Sequence, residues 1–340
     1  MALLFCDSFD HYNTSQITRK YSSNNNNTIG SYGRNSTSGM RSANSSDFDG
    51  TNLAIPSNPS RLICGFAYTA ASLQASQKIL ASFLESGAVH VGIRLNTDGK
   101  ISAYRNTTLL GTSTGAITAG SYGYIEIDTT INDSSGAVTV RLNGVSSLAL
   151  TSQDTRNGGS GVITNLTIGG DQALSGSALK GYGDFDDFYV IDSTGGTNNS
   201  FLGDVRVEAI YPTGAGNYTQ WTPSAGSNYQ CVDENPATDD TDYNSSSTAN
   251  QKDSFAFGNV TPTSGTVYGV CVNLVTRKDD AGSRSIRSLN RLSSTDANAT
   301  AQTIGSSYAN YQFVHETKPG GGSFSITDVN NSEFGYEITA

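Results

Sequence analysis

The sequence predicts an all-β protein, a β-sandwich in its first part followed by a smaller β-rich domain. Three observations carry that prediction. Charged residues make up 15% of the 340 positions while glycine accounts for 37 of them, a poor composition for helix bundles, which draw on Ala, Leu, Lys and Glu. Runs rich in Val, Ile, Thr, Tyr and Phe recur at short intervals, separated by Gly, Asn, Asp and Ser, as short strands joined by turns require. The hydrophobic fraction of 36% suits sheets with one solvated face, because only every second residue then has to be apolar.

Taken in order, "ALLFCDS" (2–8) reads as a first strand, and the Asn/Ser-rich residues 21–50 read as a long loop region;. "RLICGFAYTA" (61–70), "ILASFLE" (79–85), "VHVGIRLN" (89–96) and "ISAYRN" (101–106) read as strands. Asn96-Thr97-Asp98-Gly99 between the last two is a hairpin turn, since Asp-Gly supplies the positive φ such turns need. Residues 71–83 are the one stretch with a claim to helix, and their end is β-like. "YGYIEIDTTI" (122–131) and "AVTVRLNG" (137–144) flank the turn "NDSSG", and "GVITNLTIGG" (161–170) and "FDDFYVID" (185–192) complete the set. Strands at this spacing predict a sandwich over residues 1–202.

A second domain is predicted over 203–340. In "GDVRVEAIYPTGAGNYTQWTP" (203–223), Val205 and Val207 alternate with Asp204, Arg206 and Glu208 as in a strand. The stretch then breaks into a glycine-rich loop carrying Trp221, the only tryptophan of the chain. Residues 224–254 read as a polar loop with a cluster of acids from Asp233 to Asp242. "VYGVCVNLVTRK" (267–278) and "SRSIRSLNRL" (283–292), joined by "DDAG", read as a long hairpin, and "YANYQFVHET" (308–317) as a further strand. Residues 323–339 predict a brief helical turn, with Ser325 and Asp328 at capping-box spacing, then a closing strand.

Twenty basic and thirty acidic residues give a net charge of −10. Residues 1–203 hold 12 basic and 15 acidic residues, net −3, and the remainder 8 and 15, net −7. With no basic patch, nucleic acid is not an expected partner, and an acidic chain is repelled by anionic lipid surfaces. No apolar run approaches the ~20 residues that cross a membrane, and "MALLFC" lacks the basic region of a secretory signal. A cytosolic site of synthesis is expected. Cys6, Cys64, Cys231 and Cys271 show no C-x-x-C spacing and lie in or beside apolar runs, which reads as four reduced core thiols.

"CDSFDHYN", "HVGIRLNTDGKISAYRNTTLLGTST", "YIEIDTTINDSSGAVTVRLNG" and "DFDDFYVID" resemble, in that order, the laminin-G-like, concanavalin-A-like jelly rolls. "FLGDVRVEAIYPTGAGNYTQWTPSAGSNYQCVDE", with "RKDDAGSRSIR" and the terminal "EFGYEIT", resembles the continuation of that domain in virion structural proteins of tailed bacteriophages. The resemblance covers nearly the whole chain. It implies a jelly roll at 1–202, a virion-associated β-rich domain at 203–340, and a non-enzymatic structural protein on the virion surface. Such a protein would be a capsid decoration protein or a tail or neck appendage, assembled in the bacterial host cytoplasm. Its implied partners are other virion proteins, major capsid or tail proteins, and copies of itself, with a trimer as the working expectation.

Jelly rolls of this kind include glycoside hydrolases with an E-x-D-x-x-E motif. Glu126 and Asp128 share a strand face opposite Ile125 and Ile127, but the last motif position is Ile131. Retaining hydrolysis needs a second carboxyl ~5 Å from the first, so no catalytic residue is expected, and Glu126 and Asp128 read as a solvated face. Asp184, Asp186 and Asp187 are calcium candidates, since calcium takes several oxygen ligands and laminin-G-like domains often hold one at the sandwich rim. Calcium is the one candidate cofactor. Strand alternation would separate Asp186 from Asp187 unless the strand is bulged; the alternative is carboxylates bonding to turns. The Asp233–Asp242 cluster is a second calcium candidate. Tyr211, Tyr218, Trp221 and Tyr229 would form either a stacking platform for a host surface glycan, as in a carbohydrate-binding adhesin, or the aromatic joint between the two domains; the joint is the favoured reading. His11, His90 and His315 fall in separate strand contexts, which predicts no transition-metal site.

Overall fold

The computed structural model describes residues 2–43, 50–170 and 180–340. Within them the protein is all-β, an antiparallel architecture with one short α-helix and a few 3-10 turns. It divides into two compact units, Met1–Val207 and Glu208–Ala340.

The first unit contains β1 (Leu3–Asp7), β2 (Ser23–Asn25), β3 (Thr28–Gly30), β4 (Gly39–Ser42), β5 (Gly50–Ala54), β6 (Arg61–Thr69), β7 (Lys78–Glu85), β8 (Ala88–Leu95), β9 (Lys100–Arg105), β10 (Thr108–Ala116), β11 (Gly123–Thr130), β12 (Gly136–Leu142), β13 (Val145–Gln153), β14 (Asn165–Ile168) and β15 (Gly183–Ile191). An eight-stranded sheet runs β13-β12-β11-β6-β15-β4-β3, with β1 also paired to β15, and a seven-stranded sheet runs β10-β9-β8-β7-β14-β5-β2. Period-2 alternation, shifted in β15 by a bulge between Phe185 and Phe188, sends Leu62, Cys64, Phe66, Phe185 and Phe188 of one sheet, and Phe83, Val91, Ile93 and Leu166 of the other, into a common core;. Each fully buried side chain of this size contributes about 1.5–3 kcal/mol. The turn at 96–99 forms as expected, with Gly99 at φ +82 and its N–H donating to Asn96 O at 3.1 Å.

Three expectations change here. Part of the predicted loop 21–50 is strand, β2, β3 and β4, while 44–49 lie outside the described residues. Residues 78–83 belong to β7, so the helical claim on 71–83 fails. The strands β10 and β13 carry no alternation signal because they are edge strands, largely exposed and rich in Ser, Thr and Gly.

Gly65, mid-β6, fits a space that no side chain could share. A Cβ there would lie 2.4 Å from Tyr189 Cε1 and 3.0 Å from Tyr124 Cε1. These two rings stack in near-parallel planes with centroids 6.5 Å apart, and both phenols are hydrogen-bonded, so neither yields easily. Gly65→Ala is expected to cost about 1–3 kcal/mol through overpacking, read as a lowered urea midpoint.

The second unit contains β16 (Pro212–Thr219), β17 (Thr222–Pro223), β18 (Asn244–Ser245), β19 (Lys252–Phe257), β20 (Val270–Thr276), β21 (Ser285–Leu292), β22 (Thr295–Asn298), β23 (Gln302–Thr303), β24 (Ala309–His315) and β25 (Glu333–Ile338), with α1 (Ile326–Asn330) before β25. A six-stranded sheet runs β16-β19-β25-β21-β22 with β23 also on β21; β17 pairs with β18 and β20 with β24. The expected 267–292 hairpin is therefore wrong. β20 takes β24 as partner, and β21 enters the main sheet beside β25. The helical turn is as predicted, with a reciprocal capping box between Ser325 and Asp328.

Cys64 and Cys231 are free, buried thiols; Cys6 and Cys271 are not free, which corrects the expectation of four reduced thiols. Among the described residues no helix is long and apolar enough to cross a membrane.

Candidate functional site

The acidic run of β15 lies at a bulge. Pairing with β6 proceeds through Asp186↔Ala67 and resumes at Tyr189↔Gly65 with a shifted register, and Asp187 takes φ +49. The bulge lets both Asp186 and Asp187 meet one residue, Arg34, which strict alternation would prevent. Asp186 accepts the Arg34 backbone N–H at 2.8 Å and the Thr37 hydroxyl at 3.3 Å on Oδ2, and the Asp187 N–H at 2.8 Å on Oδ1. Asp187 accepts Arg34 Nε–H on Oδ2 and the Val207 N–H at 2.6 Å on Oδ1. Asp184 is drawn away into a bidentate pair with Arg41, at 2.7 and 2.8 Å.

The three aspartates named as calcium ligands thus do not form one ligand set. An arginine supplies the positive charge at the bulge, and among the described residues no group of three His, Cys, Asp or Glu side chains converges as for a metal. The same holds for the Asp233–Asp242 cluster. Asp240 pairs with Arg277 and accepts the Tyr308 hydroxyl, both at 2.8 Å, and Asp242 accepts the Ser224 hydroxyl at 3.0 Å. Burial and the neighbouring Asp187 charge push Asp186 up to about 8. Burial also raises Asp187, against the pull of Arg34.

These acids hold down the segment that leaves the sandwich. Residues 203–207 alternate in exposure as a strand would, 208 and 209 do not, and none of 203–209 forms a ladder. Side chains replace the ladder. Arg34 donates Nη1–H to Asp204 at 2.6 Å and Nη2–H to the Val205 carbonyl. Glu126 Oε1 accepts the Gly203 N–H at 2.8 Å and the Tyr189 hydroxyl at 2.6 Å, and the Leu202 N–H donates to that same tyrosine oxygen at 3.3 Å. Phe201 lies under Arg141, 4.3 Å from guanidinium carbon to ring centroid. Residues 201–207 therefore form a strap across the outer face of the eight-stranded sheet. It corrects two readings: 204–209 is not a strand, and Glu126 is not solvated but fully buried. The first unit accordingly runs to Val207, five residues beyond the expected boundary at 202. Asp128, the other supposed member of the solvated face, is bound by Arg61 at 2.9 and 2.6 Å.

The aromatic residues of the second unit serve separate purposes. Trp221 packs edge-to-face on Tyr336 with centroids 4.7 Å apart and donates its indole N–H to Gln251 O at 3.1 Å. Tyr229 joins Trp221 in the apolar cluster around Phe255, Ile286 and Tyr336. Tyr218 instead donates to Asp296 at 2.9 Å while Lys252 and Arg291 lie over its ring at 5.0 and 5.3 Å. Tyr211 is half-buried, and its carbonyl accepts the Gly258 N–H at 3.0 Å. The four rings are not gathered on one platform, and the partners of Trp221 named here all belong to the second unit. The organiser of the loop is Asp253, which sequence reasoning missed because a lone aspartate in a strand carries no signal. Fully buried, it accepts the Gln220 and Trp221 N–H groups at 2.7 and 3.0 Å on Oδ1 and the Asn228 amide at 2.6 Å on Oδ2.

Of the histidines, His90 lies between Glu85 at 3.0 Å and the Asn157 N–H at 3.0 Å. His315 Nε2 is 2.7 Å from Ser288 Oγ. That serine is fully buried, out of reach of a substrate. Burial lowers His315 to about 4, below its unfolded value near 6.5. Between these values the unfolded chain binds more protons than the folded one, so stability is present above about pH 6.5 and is lost as pH falls toward 4;. Denaturant titrations followed by Trp221 fluorescence are expected to show this loss, and a shallower pH dependence in His315→Gln.

No family model matches the chain, and no curated protein matches it. Among solved structures it is similar to Trypanosoma rangeli sialidase in complex with the inhibitor DANA, at 13% identity and TM-score 0.37, over 49% of this chain and 27% of that one. It is similar to alginate lyase Aly36B at 14% identity and TM-score 0.37, over 53% of this chain and 91% of that one. The chain matches only about a quarter of the length of the sialidase.

Proposed function

We propose that this chain is a non-enzymatic structural protein on the surface of a tailed-phage virion, a capsid decoration protein or a tail or neck appendage. The observation that carries the reading is the meeting of separated parts of the sequence resemblance. Trp221 of "NYTQWTP" and Tyr336 of "EFGYEIT" stack in one small core, and Asp253 ties the loop to it. A motif string that builds one architectural element supports a structural role. The engagement of Glu126, Asp128, Asp184 and Asp187 in pairs and straps supports the absence of glycosidase chemistry. Mass spectrometry of gradient-purified particles of the phage that encodes this chain tests the proposal. The chain is expected at constant stoichiometry to the major capsid protein, and its absence from the particles would end this reading.

One observation favours a second reading, a carbohydrate-binding adhesin. Opposite the core-facing Val91, Ile93 and Leu95, the seven-stranded sheet carries Arg94 over the Tyr104 ring at 3.7 Å. Beside them Gln77 donates to Asn96 Oδ1 at 2.7 Å and to the Tyr104 hydroxyl at 2.9 Å. The half-buried Tyr104 hydroxyl and these amides offer hydrogen-bonding groups to the hydroxyls of a sugar;. Saturable binding to host polysaccharide, lost in Tyr104→Ala, would support it; no binding on a glycan array would remove it.

A further inference from the structure

We propose that Asp7 and Lys20 become joined by a covalent amide, formed spontaneously once the first unit has folded. Lys20 Nζ lies 3.0 Å from Asp7 Oδ1, and the two side chains are 2% and 0% exposed. The pair is enclosed by aromatic rings, with Nζ 5.0 Å from the Phe5 centroid and 5.8 Å from that of Tyr12. A surface ion pair needs no such enclosure, and a buried one carries a desolvation penalty that its attraction does not reliably offset. An amide removes both charges from the apolar site.

The surroundings supply what acylation requires. Asp7 Oδ2 accepts the Tyr12 and Tyr21 hydroxyls at 2.7 and 2.8 Å, two donors aimed at the oxygen on which negative charge would develop;. Oδ1, the oxygen to be lost, faces the amine and accepts the Phe9 N–H at 3.0 Å. His11 Nε2 lies 3.3 Å from Nζ and orients the amine, its ring kept neutral by burial and by Lys20. Burial likewise pulls Lys20 below the ordinary lysine range, toward the free amine. Both backbone ends are fixed: Asp7 closes β1, and Lys20 ends a 3-10 turn (Thr14–Arg19) locked by the Asn13–Gln16 capping box. Fixed reactants of this kind react as if at very high concentration.

The step balances without a co-reactant. The Lys20 ammonium passes a proton directly to Oδ1, 3.0 Å away, and the freed lone pair attacks Cγ. The N–C bond forms as the carbonyl electron pair moves onto Oδ2, under the two tyrosine hydroxyls. The intermediate collapses with cleavage of Cγ–Oδ1, and that oxygen leaves as water with a second proton from nitrogen. An ammonium and a carboxylate become an amide and one water, with no change of oxidation state.

The test is the mass of the full-length protein, reduced and fully denatured, followed by a tryptic map. The expected result is a mass one water below that of the sequence and a branched peptide joining the segments that contain Asp7 and Lys20. Lys20→Arg, which keeps the charge but offers no primary amine, is expected to give the full mass. A wild-type protein at the full mass overturns the proposal, whether or not any variant folds. So does a water loss that maps elsewhere, such as to Asp98–Gly99.

Discussion

Arg34→Ala is expected to destabilise the first unit by about 3–5 kcal/mol, the range for breaking a buried charge pair from one side. The Arg34 side chain touches Asp187, Asp204 and the Val205 carbonyl together, and its own N–H holds Asp186. Without the guanidinium, Asp187 remains buried beside Asp186 with only the weaker pull of Arg206 against its charge, and the strap loses two of its anchors. Amide hydrogen exchange at residues 202–207 should rise with the loss of stability. Arg34→Lys should recover only part of it, because an ammonium cannot present the planar fork that reaches three acceptors. A urea midpoint and strap exchange unchanged from wild type would mean that the strap is held by other contacts.

The second large effect is expected from Asp253→Ala, about 1–3 kcal/mol in the second unit. The substitution removes the acceptor of the Trp221 N–H, while the Gln220 N–H keeps Lys252 O at 3.1 Å and the Asn228 amide keeps Trp221 O at 2.8 Å; a buried donor left unsatisfied costs about 1–3 kcal/mol. Trp221 reports the result directly. Its emission should shift to the red under native conditions as the loop leaves Tyr336. Asp253→Asn keeps the size of the side chain and should fall between the two. Native-like Trp221 emission in the alanine variant, with unchanged stability, would show that the loop stands without its carboxylate.

Much of the sandwich was legible because its central strands bury one face, and burial imposes alternation. β6, β8, β9, β11 and β15 all fall where Val, Ile, Phe and Tyr alternate or cluster. The edge strands β10 and β13 were not legible, since an exposed edge is free to use Ser, Thr and Gly. Residues 203–207 show the converse failure. Their alternation was real, but it reflects a strap lying on a sheet face, and sequence cannot distinguish partners that are strands from partners that are Glu126, Asp187 and Arg34. The 267–292 hairpin failed for a related reason. Two adjacent strands with a turn between them suit each other locally, and only the third dimension assigned β20 to β24 and β21 to β25. At the candidate site, the aspartates expected as calcium ligands are anchors instead. Their use as anchors depended on Arg34, some 150 residues away in sequence.

The proposal that this chain stands on the surface of a tailed-phage virion most needs testing. Antibody-gold electron microscopy of intact, purified phage particles tests it most directly. The account predicts gold on the particle surface, at the head for a decoration protein or at the neck or tail for an appendage. Unlabelled particles whose dissolved proteins also fail to react with the same antibody would contradict it.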